Sequence, residues 1–282
     1  MREERMFVKP SAVDISAEEA REIILYLQEC YKKKKLKHRL YNEEDFVPEN
    51  IISMYLYYTK HTDYEIIVNN YKKQFIRNES LVEPGVTKAE REGLGIIYDY
   101  ISTYDFKGDI NIFVEGLKLH ALLYAKCPFP EFGGTLRVDP AILKDAVYDV
   151  PDAATARRMF QDYLTKKFCI DYDNIFDYID EAIRVTIDLI KIQPFPDGNK
   201  RTFRALLNLL LGKIGIPPVY IKMSERAVYK EELLKAIENE DYFGITRFYY
   251  YKICDSIVEL DLMNISKQKE AEHKVFVIKP IN

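Results

Sequence analysis

The chain of 282 residues is 48% hydrophobic and 30% charged, a balance that suits a packed globular protein and excludes a chain too polar to fold. Its 41 Lys+Arg against 45 Asp+Glu give a formal charge of −4, which excludes a generally basic nucleic-acid surface. No apolar run reaches the ~18–20 residues a membrane helix needs. Met1 to Phe7 carry charges of both signs with no apolar stretch behind them, so they do not read as a secretory signal. Cys30, Cys127, Cys169 and Cys254 are scattered without metal-ligand spacing, and a reduced, cytoplasmic protein is the expectation.

In chain order, apolar residues at helical spacing predict helices over residues 17–31, 48–60, 63–76, 87–103 and 109–125. Lys32 to Lys35, with Lys37, His38 and Arg39, follow the first of these and suit the negative end of its dipole. Glu131 to Pro140, with Gly133-Gly134 and alternating residues, reads as a short β-hairpin or an extended flap. Asp152 is placed to cap another helix. From 174 onward, two apolar stripes through Ile179, Ile183, Ile187 and Ile190 and through Tyr178, Ala182, Val185 and Leu189 mark a helix buried over much of its girth. Pro194 stops it. A second helix carries Phe203, Leu206, Leu207, Leu210 and Leu211 on one stripe, with Arg201, Arg204 and Asn208 on the opposite side. The fold class is mainly α with a short β-hairpin flap. An N-terminal helical extension over 1–75, a main domain over 76–255 and a tail over 256–282, with Lys274 to Pro280 as a terminal strand, complete the division.

The chemistry concentrates between the two long helices, in Gln193-Pro-Phe-Pro-Asp-Gly-Asn-Lys-Arg-Thr-Phe-Arg204. A glycine-containing loop that runs into a helix N-terminus presents unpaired N–H groups and the positive end of the dipole, which together favour an anion. Lys200 and Arg201 add charge beside it, and Arg204 follows one turn later on the same face as Arg201. Asp197 beside such a nest is a natural ligand for Mg²⁺ bridging a polyphosphate. Read from the residues alone, this is a nucleoside-triphosphate site, with a solvated helix start as the plain alternative.

The segment resembles the signature of the Fic family, His-Pro-Phe-x-Asp/Glu-Gly-Asn-Gly/Lys-Arg-x-x-Arg, and Pro194, Phe195, Asp197, Gly198, Asn199, Lys200, Arg201 and Arg204 match it. The resemblance implies a Fic-like helical fold that transfers a nucleoside monophosphate, usually AMP from ATP, to a hydroxyl side chain (Ser, Thr or Tyr) of a target protein. By position, it implies that Asp197 holds Mg²⁺ against the α- and β-phosphates. Gly198, Asn199 and Lys200 would cradle the phosphates, Arg201 would hold the β-phosphate and Arg204 the γ-phosphate. Thr135, Leu136 and Arg137 would form the flap that registers the target by main-chain pairing. Family members often pair with themselves or with a regulatory partner. Membrane and nucleic acid are not implied as partners.

Three features depart from that pattern. Gln193 stands where the family has the His that takes the proton from the attacking hydroxyl, and an amide cannot accept a proton near neutral pH. A natural nucleotide-binding relative with little activity, a chemistry that needs no His, and a substitution that traps a complex each fit this departure. Lys200 is typical of Doc-like phosphotransferases, but those usually carry Ala in place of Gly198 and lack the last Arg. Finally, Glu79-Ser-Leu-Val-Glu83 is similar to the family's inhibitory pattern, Ser/Thr-x-x-x-Glu-Gly/Asn, with Glu79 replacing the Ser/Thr and Pro84 the Gly. Glu83 is therefore the candidate that pairs with Arg204 as a brake. His120 reads as a flap-supporting core residue rather than a substitute base. Tyr229 reads as core, with a place near the base of a nucleotide as its other reading.

Overall fold

The structure, a computed structural model, describes residues 64–106, 108–141, 148–165, 167–168, 175–213, 216–253 and 255–256. The helices expected over 17–31 and 48–60 and the strand expected over 274–280 lie outside them. Helix α1, Tyr64–Val82, runs through position 75, where the extension was expected to end, and six residues beyond the expected helix end at 76. It stops where Pro84 disfavours helical geometry in the residue before it and Gly85 turns the chain at φ 78. Helix α2, Lys88–Ser102, begins at once with a capping box. The Thr87 hydroxyl accepts the Glu90 N–H, and the Glu90 carboxylate accepts the Thr87 N–H. Leu94, Ile97, Tyr98 and Ile101 form its buried face.

Helix α3, Ile112–Tyr124, is capped by the Asn111 side chain. It packs so closely on α2 that a Cβ on Gly93 would lie 2.0 Å from the Leu123 carbonyl oxygen. After a 3₁₀ turn at Pro130–Phe132 the chain runs without regular secondary structure through 135–138. No hairpin forms among its described residues. The β structure that does form was not anticipated. Strand β1, Ile110–Asn111, pairs antiparallel with β2, Lys167–Phe168, in the register Ile110 to Phe168. Between these strands, helix α4, Ala153–Gln161, starts at Asp152, whose carboxylate accepts the Thr155 N–H as expected.

Helix α5, Ile175–Ile192, and helix α6, Asn199–Lys213, form an antiparallel hairpin around which the rest is arranged. The Tyr178 hydroxyl near the start of α5 donates to the Leu210 carbonyl near the end of α6 at 2.7 Å. Every residue of α6 from Arg201 to Leu211 is buried. The side of Arg201, Arg204 and Asn208, opposite the apolar stripe, is therefore inside as well. Asn208 meets that burial by exchanging two hydrogen bonds with the Val219 backbone, at 2.8 and 2.9 Å. Helix α7, Arg226–Asn239, and a helical run over 243–253 close the core from the other side. There Lys252, buried, is held by Glu225 at 2.6 Å and Asp255 at 2.8 Å. No helix among the described residues is long and apolar enough to cross a membrane.

The α2–α3 contact sets a test of this packing. Gly93→Ala forces a methyl group against backbone and is expected to cost about 1–3 kcal/mol. Gly108→Ala, where an added Cβ meets nothing within 4 Å, is the neutral comparison. Thermal unfolding of the two variants checks the difference.

Candidate functional site

The loop between α5 and α6 is built by its own side chains. Asn199 accepts the Phe195 N–H at 2.9 Å and donates to the Phe195 carbonyl at 2.8 Å, which closes the loop on itself. Gly198 sits at φ 75, and a Cβ there would meet the Tyr124 hydroxyl at 2.8 Å, so both its conformation and its surroundings require glycine. The first-turn N–H groups of α6 have no acceptor within the helix and lie at the edge of the loop. They open on a cavity of about 1130 Å³, lined by Asp197, Gly198, Asn199, Lys200 and Arg201 on one side and by Tyr229, Leu233 and Ile237 of α7 on another.

Two carboxylate-bearing helices meet the arginines of α6. Arg204 is buried, with Nε 2.8 Å from Glu79 Oε2 and Nη1 3.1 Å from Glu83 Oε1. Arg201 Nη1 is 2.5 Å from Glu90 Oε1, and its Nη2 is 3.5 Å from Asp197 Oδ2. Burial works against ionisation of Glu83, but the charges of Arg204 and Lys200 outweigh it and hold the carboxyl below its ordinary range. For Glu90, burial is likewise outweighed by hydrogen bonds from Thr87 and by Arg201.

The flap is fastened to the loop at two points. Arg137 is buried and donates Nε to the Gln193 carbonyl at 2.6 Å and Nη1 to the Asp139 carbonyl at 3.0 Å, with Nη2 on the Pro151 carbonyl. Its N–H donates to the Pro194 carbonyl at 3.0 Å. The second fastening is His120. Gly134 N–H donates to Nδ1 at 2.8 Å, so Nδ1 carries no proton, and Nε2–H donates to the Asp197 carbonyl at 3.0 Å. The ring stacks on Phe195, centroids 3.9 Å apart and planes 5° from parallel.

Residues 114–211 match the Fic/DOC family. The chain carries a Fic/DOC domain. Its Gly-turn, helix N-terminus and paired arginines lie inside that match. The protein adenylyltransferase Fic of Drosophila willistoni is 33% identical over 112 residues, 39% of this chain and 22% of that one. Its counterpart of Nematostella vectensis is 34% identical over 108 residues, 38% of this chain and 24% of that one. The chain thus spans about a quarter of the length of these curated relatives. Among solved structures, Fic-1 from C. elegans aligns with TM-score 0.55 at 16% identity, covering 85% of this chain and 70% of that one. A Fic domain containing signaling protein from Bacteroides thetaiotaomicron aligns with TM-score 0.60 at 12% identity, covering 76% and 96%. At these identities the structural likeness concerns the fold.

Within the Fic domain, Asp197, Gly198, Asn199, Lys200 and Arg201 share one cavity wall with Gln193 and Glu83. Arg204 does not line the cavity. Glu83 stands at its edge instead, in the pairing expected of it. Glu79 and Glu90 were not singled out as arginine partners. Thr87-x-x-Glu90 is legible as a capping box, yet nothing in the sequence says that the second carboxylate oxygen is committed to Arg201. The Gln193 amide is anchored within the chain, its Nε2 donating to the Ile190 carbonyl at 2.7 Å and lying 3.3 Å from the Tyr148 hydroxyl. Thr135 and Arg137 already use their N–H groups within the chain, on the Phe132 and Pro194 carbonyls.

Asp197 tests the fit of Mg²⁺. Its side chain is 70% exposed and faces the cavity, and no group of three potential metal ligands exists among the described residues. One exposed carboxylate beside a phosphate-shaped nest suits an ion that arrives with the polyphosphate and keeps most of its own oxygen ligands.

His120 gives this site a pH dependence. Burial is the main cause that pushes its pKa down, to about 4 from 6.5. The unfolded chain therefore binds the proton first as pH falls. Stability is complete above about pH 6.5 and is lost progressively toward pH 4, by about 3 kcal/mol in total. Denaturant titrations in EDTA at intervals across that window are expected to show this loss in the natural chain and a flatter profile in His120→Asn.

Proposed function

We propose that the chain binds ATP in the large cavity and that the site is shaped to pass AMP to a Ser, Thr or Tyr hydroxyl of a target protein, at a rate held down by Gln193 and Glu83. The observation that carries this reading is the convergence of the Gly198 turn, the α6 N-terminus, Lys200 and Arg201 on one cavity, with Glu83 between that cavity and Arg204. Relatives named protein adenylyltransferases support the choice of AMP. Gly198 and Arg204 favour it over Doc-like transfer of phosphate.

In this reading the α6 N-terminus and Arg201 hold the phosphates, the apolar face of α7 with Tyr229 holds the base, and Asp197 is the residue that would hold Mg²⁺. The metal would supply charge neutralisation across the phosphates. A groove of about 560 Å³ between Val138, Tyr148 and Ala154 lies beside the flap and is the docking place for the target segment. The target hydroxyl oxygen attacks the α-phosphorus, the bond to the β-phosphate oxygen breaks, and pyrophosphate leaves. The hydroxyl proton needs an acceptor. Gln193 offers none, and both nitrogens of His120 are engaged with backbone. Loss of a positioned base costs about 10²–10⁴-fold in rate.

The anchoring of the Gln193 amide on Ile190 favours a second reading, a nucleotide-binding regulatory protein without transfer activity. Label transfer from α-labelled ATP with Mg²⁺ decides between them. Under the first reading, Gln193→His raises transfer about 10²-fold or more over a slow natural rate. A natural chain as fast as Gln193→His would remove the missing base from the account, and silence in both would leave only the regulatory reading.

Binding is tested separately. Glu83→Gly is expected to tighten ATP by about threefold, because Arg204 then meets the γ-phosphate. Calorimetry showing no ATP binding by Glu83→Gly would overturn both readings.

A further inference from the structure

Glu79 and Glu83 lie one turn apart on α1 and both reach Arg204, but in different ways. Glu79 is 3% exposed and both its oxygens are held, Oε2 by Arg204 Nε at 2.8 Å and Oε1 by the Ile221 N–H at 3.2 Å. It does not line the cavity. Glu83 is 19% exposed, does line the cavity, and divides its charge between Arg204 Nη1 at 3.1 Å and Lys200 at 3.8 Å. The remaining nitrogen, Nη2, is buried with no hydrogen-bond partner among the described residues. Arg204 is thus held along its Nε edge by a fixed anion, met at Nη1 by an anion on the cavity edge, and unsatisfied at Nη2.

We propose that Glu79 is a positioning residue that sets how strongly the site distinguishes a nucleoside triphosphate from a diphosphate, an inference that rests on the nucleotide reading above. The argument is one of charge. A carboxylate 2.8 Å from a guanidinium in a buried setting offsets most of its field. When Glu83 is removed, Nη1 and Nη2 become available to a terminal phosphate, but the charge behind them remains balanced by Glu79. The γ-phosphate then gains two donors and little net charge. The guanidinium also has a ring beside it, its carbon lying 5.7 Å from the Tyr229 centroid. Removing the Glu79 charge therefore strengthens the hold on the γ-phosphate more than the lost hydrogen bond weakens it. This position is also where the chain departs from the Ser/Thr of the inhibitory pattern, so the effect belongs to this chain's own residue.

The test compares ATP and ADP affinities, with Mg²⁺, in full chains that all carry Glu83→Gly. The ratio of the two dissociation constants is expected to be within about threefold for Glu83→Gly alone and to rise about tenfold when Glu79→Gln or Glu79→Ser is added, with ADP nearly unchanged. Glu79→Asp, which keeps the charge, is expected to leave the ratio where it was. A purely structural role would weaken both nucleotides alike and leave the ratio constant in all variants, which would overturn the proposal. A ratio above about thirtyfold in Glu83→Gly alone would overturn it without any change at Glu79, so it stands or falls even when the neutral variants do not fold. Failure of Glu83→Gly to bind either nucleotide would overturn the nucleotide reading and this inference together. Binding with an unchanged ratio overturns this inference alone.

Discussion

A guanidinium that has left water must have anions around it, and Arg204 imposes that condition on the whole architecture. Leaving a buried charge without its partner costs about 3–5 kcal/mol, a large part of the net stability of a domain. Helix α1 therefore has to lie where Glu79 and Glu83 reach α6, and the apolar contacts of α1 follow the same line. Tyr71 and Phe75, at four-residue intervals before Glu79, are buried against Tyr98 and Tyr220. The Tyr71 hydroxyl donates to the Pro218 carbonyl at 2.7 Å. The aromatic stripe and the carboxylates are one continuous face, apolar at one end and charged at the other.

The second arginine extends the scheme to α2. Glu90 performs two tasks with one carboxylate, capping its own helix with Oε2 and pairing Arg201 with Oε1. The arginines of a single helix are thereby tied to two others, and the cavity wall between them is assembled before any ligand arrives. Pre-arranged charges of this kind need no reorganisation when an anion enters. In the proposed reading they also mean that an entering phosphate competes with carboxylates already in place.

How much of this was legible follows from the range of the signals. The α5–loop–α6 hairpin was readable because long apolar stripes and a dense run of special residues mark it locally, and Asp152 declared its helix in the same way. The pairing of Glu83 with Arg204 was readable from pattern and position. The length of α1 was not, because its core face changes from aromatic residues to Glu79 and the apolar periodicity ends there although the helix continues. How fully the polar side of α6 is buried was not legible for a related reason. Nothing local to the sequence says what faces Asn208, and it is the Val219 backbone and the α1 carboxylates that make the burial of Asn208 and Arg204 tolerable. The pairing of residues 110–111 with 167–168 joins segments more than fifty positions apart through two residues each, too short to leave a periodic trace.

Residue 193 shows what such a site demands of its occupant. Gln193 has φ 51, a left-handed backbone that costs most side-chained residues about 1–2 kcal/mol. Arg137 fixes that geometry through the Gln193 and Pro194 carbonyls. The first requirement at this position is thus conformational. Asn, Asp and His bear a left-handed backbone more readily than most residues, and β-branched side chains bear it worst. An exchange between His and Gln here keeps the turn while altering its proton chemistry, whereas Val or Ile would disturb the loop before any question of proton transfer arose. The turn and the base are separable properties of one residue, and a chain can change the second while the first still shapes the site.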